Sequence, residues 1–206
     1  MNKIIAFVLA AGLGLLVAVG VGGCNSYNGL VGSRQEVDKA WAQVETVYQR
    51  RADLIPNLVN TVSGSANFER NVLREITEAR ASVGQVKLTP GAAPETADQL
   101  KQFQAAQGSL GSALSRLLVV AEKYPDLKAS QGFRDLQVQL EGTENRITVE
   151  RQRFNESVQR YNTRAQRFPT VLLARAFNFQ PKPYFAAEAG SDKAPKVSFD
   201  FNSPAK

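Results

Sequence analysis

The side chains available for chemistry are few in kind. The 206-residue chain has no histidine and one cysteine, Cys24. That removes His-based triads, thiolates activated by a His base, and Cys/His zinc sites. Carboxylates, lysines, hydroxyls and tyrosines remain. A pair such as Glu141 and Glu144 has the residue type for a carboxylate-pair hydrolase, but its spacing is that of a solvated helical face. No catalytic, metal-binding or cofactor-binding constellation is assigned, and the chain is expected not to be an enzyme. The residue with a specific chemical expectation is Cys24, a thiol placed for acylation.

That placement depends on what precedes it. Lys3 is followed by an uncharged apolar stretch over residues 4–21, then Gly22, Gly23 and the sulfur. Charge, apolar core, small residues and cysteine is the order of a bacterial lipoprotein signal, whose cleavage would leave Cys24 as the lipid-bearing first residue. The alternative is a retained transmembrane anchor, for which an 18-residue run sits at the low edge of the roughly 17–25 residues that span a bilayer. Gly12, Gly14 and Gly20 dilute the run and favour cleavage. Either way Lys3 stays inside and the rest of the chain faces outward, with membrane lipid as its first partner. Asn25, rather than Asp, follows Cys24, which favours the outer membrane over the inner.

The formal net charge is +6, from 25 Lys+Arg against 19 Asp+Glu. Removing residues 1–23 takes away only Lys3, so the remainder is still basic by five. Outside the cytoplasm this favours anionic lipid head groups or envelope polymers over nucleic acid. Arg50, Arg51, Arg151, Arg153, Arg160, Arg164 and Arg167 come from distant segments, so the charge is a bias and not a site.

The elements that must position these residues are helical. Val37, Trp41, Val44, Tyr48, Ile55, Leu58 and Val62 advance by three, four or seven, predicting a helix over residues 27–62 about 54 Å long. Pro56 should remove one of its hydrogen bonds and bend it. Gly64 stops it, and Asn67 is the expected cap of a second helix over 68–83 carrying Val72, Ile76 and Ala79. Residues 84–94 read as a loop. A third helix is expected over 95–123 through Leu100, Phe103, Leu110, Leu114, Leu117 and Ala121, with Tyr124-Pro125-Asp126 breaking the chain. A fourth follows over 130–168 through Phe133, Leu136, Leu140, Ile147, Phe154, Val158 and Tyr161. The fold expected is all-α: an up-down-up-down four-helix bundle with long first and fourth helices, preceded by the N-terminal membrane or signal helix. Trp41 is its core anchor, with an indole N–H expected to find a partner.

After Pro169 a short helix over 171–176 is expected, and Phe177, Phe179, Tyr184 and Phe185 should fold back onto the bundle end. The domain is taken as 24–188, after a leader at 1–23. Residues 189–206 have the composition of a disordered tail, although Val197, Phe199 and Phe201 alternate as an edge strand would.

Two stretches are more specific than helix packing requires: Gln49-Arg50-Arg51-Ala52-Asp53-Leu54-Ile55-Pro56-Asn57-Leu58-Val59, and Leu140-Glu141-Gly142-Thr143-Glu144-Asn145-Arg146-Ile147 with Arg153-Phe154-Asn155 and Tyr161-Asn162. With Tyr27-Asn28, Trp41 and Tyr124-Pro125-Asp126-Leu127-Lys128, they resemble the LemA family of bacterial envelope proteins over residues 27–185. The resemblance implies an antiparallel helical bundle held at a membrane by its N-terminal segment, without established enzymatic activity. It also implies the company of other envelope proteins, including TPM-domain membrane proteins and membrane-bound peptidases.

Placing the first and fourth helices antiparallel, with Asp53 opposite Arg146, brings Trp41 near Val158 and Val37 near Asn162. In that register Asp53 and Asn57 would meet Glu144, Asn145 and Arg146 in a partly buried polar layer beside Pro56 and Arg51, fixing register because a slipped pairing strands a buried charge. The same residues could instead contact a partner. The expected function is a non-enzymatic, membrane-anchored envelope scaffold or accessory factor. The alternative is a periplasmic ligand-binding or sensor bundle with a pocket near Pro56 lined by Arg51, Asn57 or Arg146.

Overall fold

The computed structural model describes residues 2–65, 68–86, 88–89 and 91–186, with the backbone alone at 2–6, 8–11 and 15–19. Among them lie α1 (Asn2–Ser63), α2 (Arg70–Gly84), α3 (Ala97–Ala121), α4 (Pro125–Ala129), α5 (Gln131–Gln166) and α6 (Thr170–Ala176), and no strand. The fold is all-α, as periodicity predicts. The Asn67 cap, and the tail with Val197, Phe199 and Phe201, lie outside the described residues.

α1 is unbroken for 62 residues, about 93 Å, and begins at Asn2 rather than at residue 27. Among the described residues no helix is long and apolar enough to cross a membrane; most side chains of the 4–21 run lie outside them. α3 starts where Thr96 and Gln99 form a reciprocal capping box. The unforeseen element is α4. Pro125 stands in its first turn, where a missing N–H costs nothing, so the residues expected only to break the chain instead start a new turn. Ser130 then caps α5 by accepting from the Phe133 N–H at 3.3 Å.

α1 and α5 run antiparallel. Arg51 pairs with Glu144 at 2.9 Å, Arg160 approaches Glu36 at 3.9 Å, and Arg164 donates to the Gly29 carbonyl at 2.6 Å. Trp41 meets Phe154, with ring centroids 5.4 Å apart. The register expected from sequence set Trp41 against Val158, one helical turn away, and is corrected here. Apolar stripes recur every turn, so a slide of four residues preserves the match; the shape of the interlocking rings selects among such slides.

α2 and α3 form a second antiparallel pair, with Arg116 3.1 Å from Glu75 and Lys123 3.4 Å from Glu69. α3 runs in the direction of α1: Arg34 pairs with Glu95 at 2.9 Å, Tyr48 packs on Phe103 at 5.0 Å, and Arg51 bonds Gln107. Three apolar clusters stack along the long pair. One holds Ile55, Leu58, Ile76, Leu117 and Leu140, the next Trp41, Phe103, Ile147, Phe154 and Phe185, and the third Leu30, Ala165 and Ala174.

Pro56 is exposed within α1. Lacking an N–H, it leaves the Ala52 carbonyl without its helical donor. Arg80 of α2 supplies one, its Nε 3.2 Å from that oxygen.

Trp41 is wholly buried, but its indole N–H has no hydrogen-bond partner among the described residues, contrary to expectation. The ring sits among Phe103, Phe154 and Phe185, which bring no acceptor oxygen. Phe185 therefore reaches the middle of the long pair and not the end of the molecule. It gets there on an extended strap over residues 179–186, entered by a turn at Phe177 and Asn178, where Asn178 has φ +56°. Asn162 exchanges two hydrogen bonds with the Lys182 backbone at 2.9 and 2.8 Å. Asn155 does the same with Phe185 at 3.1 and 2.8 Å. Seven helical residues and three extended ones both span about 10 Å, so the two amides fall in step with the strap.

Candidate functional site

Between the first two apolar clusters lies one polar level. Arg51 of α1 has a side chain only 4% exposed. It donates to Glu144 at 2.9 Å, to the Gln107 backbone carbonyl at 3.2 Å and to the Gln107 side-chain oxygen. Its guanidinium also lies over the Tyr48 ring, 5.0 Å from the centroid. The same level holds Gln107 and Thr143, both buried, and Thr143 satisfies its hydroxyl on the Gln139 carbonyl at 2.7 Å. Arg51 Nε is buried without a partner.

This level opens sideways. A groove of about 810 Å³ runs between α3 and α5, with Tyr48 and Arg51 lining it from α1. One wall carries Gly108, Gly111, Ser112 and Ser115 of α3, the other Leu140, Glu141 and Glu144 of α5. Gly108 and Gly111 would each accept a Cβ with nothing within 4 Å. Glycine inside a helix costs about 1 kcal/mol relative to alanine, and among the described residues no close approach requires it at either position.

The sequence-predicted residues divide around this groove. Arg51 and Glu144 meet in it. Asp53 and Asn57 are exposed on another face of α1, where Asp53 accepts from Gln49 at 2.8 Å. Both line a shallow surface depression with Glu45, Thr46 and Gln139. Asn145 and Arg146 are exposed as well, and Glu144 itself is 58% exposed. The polar level is therefore built from Arg51, Gln107, Thr143 and Glu144, not from Asp53 and Asn57 against Glu144, Asn145 and Arg146. Asp53, Asn57, Asn145 and Arg146 lie off the buried stripes of α1 and α5, which the four-residue slide leaves in place; the slide decides only that Glu144 stands beside Arg51. The depression beside Pro56 takes in Asn57 but neither Arg51 nor Arg146. Cys24 is exposed on α1, about 33 Å along it from Asn2.

Gln107 and the small residues of α3 were missed, although Gly108, Gly111, Ser112 and Ser115 show helical spacing in the sequence. Two glycines within an otherwise favourable helix were the available signal. The strap's buried Lys182 was missed too. Its Nζ donates to the Ala93 carbonyl at 3.3 Å and lies 3.8 Å from Glu95, while Asp38 accepts from the Ala93 N–H at 3.0 Å. Burial lowers the Lys182 pKa from its ordinary value, opposed by Asp38 and Glu95 and assisted by Arg34. Burial likewise raises the Tyr161 phenol, whose hydroxyl donates to the Gln180 carbonyl at 2.9 Å. Among the described residues no group of acidic, Cys or His side chains could hold a metal ion.

Comparison with known proteins agrees with the motifs. Residues 40–199 match the model of the LemA family. The chain is similar to the magnetosome protein MamQ of Magnetospirillum gryphiswaldense, 25% identical over 181 residues, covering 81% of this chain and 66% of that protein. MamQ 2 of Paramagnetospirillum magneticum is 25% identical over 182 residues with the same coverage. Protein LemA of Metamycoplasma hominis is 23% identical over 184 residues, covering 89% of this chain and 77% of that one. The chain thus spans about two thirds of the length of the MamQ proteins it matches. With a family match that takes in most of its helical body, this chain belongs to the LemA family.

Proposed function

We propose that this protein is a non-enzymatic scaffold of the bacterial envelope, an up-down-up-down four-helix bundle moored to a membrane by residues 4–21 or by acylated Cys24. Its domain faces out of the cytoplasm and holds a segment of another envelope protein in the α3–α5 groove. The similarity to LemA and MamQ proteins supports an envelope-associated role. The observation that carries the docking reading is the groove wall. Gly108 and Gly111 leave open space where helix stability favours side chains, above a buried Arg51 with an unpartnered N–H. A chain packing closely there would use the room, with Ser112, Ser115 and the exposed Glu144 on the walls as its polar contacts.

Two measurements test this reading. A photo-crosslinking residue at Ser112 in intact cells should capture a defined envelope protein, and the same residue at Thr46, on another face of α1, should not. Gly108→Ala with Gly111→Ala should stabilise the fold, whereas Gly108→Leu should fold but lose the crosslink. Equal capture from both positions would refute the groove as the docking site. For the anchor, Cys24→Ser should leave an uncleaved, unlipidated chain; a mature mass that departs from wild type only by the substituted atom would rule out lipidation.

A further inference from the structure

At the end of the long helix pair nearest the leader, the chain turns through Phe168 and Pro169 into α6. This short helix is seated on α1 and α5 through Ala174, which joins Leu30 and Ala165 in the third apolar cluster. Its outer side is unusual for a surface. Phe168 is 81% exposed, and Leu172 and Phe177 are each 58% exposed. Phe177 also meets Tyr27 of α1 edge-on, with centroids 5.0 Å apart. Arg167 and Arg175 flank these side chains and are exposed.

The position of this patch along α1 suggests what covers it. Tyr27 is six residues beyond Val21, about 9 Å along the helix, and three beyond Cys24, about 4.5 Å. Head-group layers occupy roughly 5–8 Å on each side of the hydrocarbon core. A moored chain therefore holds α6 at or just above the head groups, whichever form of anchor operates. Aromatic and leucine side chains flanked by arginines are the composition that partitions there.

We infer that α6 and the Phe168 turn form a second membrane contact. Phe168, Leu172 and Phe177 enter the interface of an anionic bilayer, and Arg167 and Arg175 engage lipid phosphates. The contact sets the tilt of the domain on the membrane, and with it the outward face of the α3–α5 groove. This inference rests on the anchoring part of the proposed function.

The test uses the full chain in vesicles containing phosphatidylglycerol and brominated lipid. An environment-sensitive fluorophore is placed by Leu172→Cys, or by Val149→Cys on α5 as a control about 27 Å further along that helix from Arg167. The unsubstituted chain reports any labelling of Cys24. The Leu172 probe should be quenched roughly twofold more than the Val149 probe, as expected for an interfacial site. That excess should shrink in neutral phosphatidylcholine vesicles and in the Arg167→Ser, Arg175→Ser variant. Vesicles that carry the chain on flotation but quench both probes equally would overturn the contact alone. A chain that does not float would end the anchoring reading and the contact with it. Excess quenching that ignores lipid charge and is unchanged in the Arg167→Ser, Arg175→Ser variant would overturn the arginine–phosphate contacts.

Discussion

The burial of the pair Arg51–Glu144 is lopsided in a way that predicts unequal costs for its two deletions. Arg51 is 4% exposed and Glu144 is 58% exposed. Removing Glu144 strands a buried guanidinium. Breaking a buried pair this way costs about 3–5 kcal/mol; because Glu144 is half in water and Gln107 still accepts two bonds, about 2–3 kcal/mol is expected for Glu144→Ala. Removing Arg51 leaves only a hydrated carboxylate and the buried Gln107 oxygens, a desolvation cost of about 1–3 kcal/mol. Arg51→Met recovers part of this, since it no longer buries a charge or an unpartnered Nε–H, so about 0–2 kcal/mol is expected. Urea unfolding followed by circular dichroism measures both. Thermal midpoints should fall about 5–10 °C for Glu144→Ala, given 2–4 °C per kcal/mol in chains of this size. In the double variant the cost should collapse to that of Arg51→Met alone, because no cation remains to be stranded. Arg51→Met costing more than Glu144→Ala, or costs that simply add, would refute the argument that the buried cation controls this level.

Other expectations follow from the same kind of accounting. Trp41→Phe should cost less than about 2 kcal/mol, since it also removes a buried unpartnered N–H, whereas Trp41→Ala should cost about 3–5 kcal/mol; equal losses in urea titrations would contradict this. Pro56→Ala should stabilise α1 by about 1–2 kcal/mol by restoring a helical bond to the Ala52 carbonyl. Arg80→Ala should then matter less in that background than in wild type, and a double-mutant cycle reading zero coupling would show that Arg80 does not compensate for the proline. Lys182 holds a pKa below 10.5 in the folded state, so it binds fewer protons folded than unfolded. Its burden on stability is greatest at neutral pH and eases as pH rises from the lowered pKa to 10.5. Any stability advantage of Lys182→Met over wild type should therefore shrink across that window, and a difference flat with pH would argue against burial as the cause.

How much of this was legible beforehand depends on the range of the interactions. Helices α1, α2, α3, α5 and α6 were readable because the apolar period and the breakers are local, set by residues within a turn or two of each other. The family motifs marked Arg51 and Glu144 as special without saying why. The level around Arg51 was misassigned because Asp53, Asn57, Asn145 and Arg146 stand off the buried stripes and because the α1–α5 register lies outside local sequence. A shift of one turn leaves every apolar stripe in place and changes which polar residues meet. Gln107 joined the site only because α3 runs alongside α1, a contact across 56 residues of chain. Phe185 reached Trp41 only through the backbone clamps of Asn155 and Asn162, which no periodicity announces.

By itself, then, the amino-acid sequence determined that the chain is helical, that it lacks the residues for histidine or thiolate chemistry in its body, and that an uncharged apolar run over residues 4–21 precedes Cys24. Those conclusions rest on composition and on neighbours along the chain. Only the tertiary structure decided which arginine is buried, which glycines face open space and which aromatic side chains stay exposed beside Tyr27. Each of these depends on how distant segments slide and pack, and side-chain volume selects one arrangement among several that hydrophobicity alone allows.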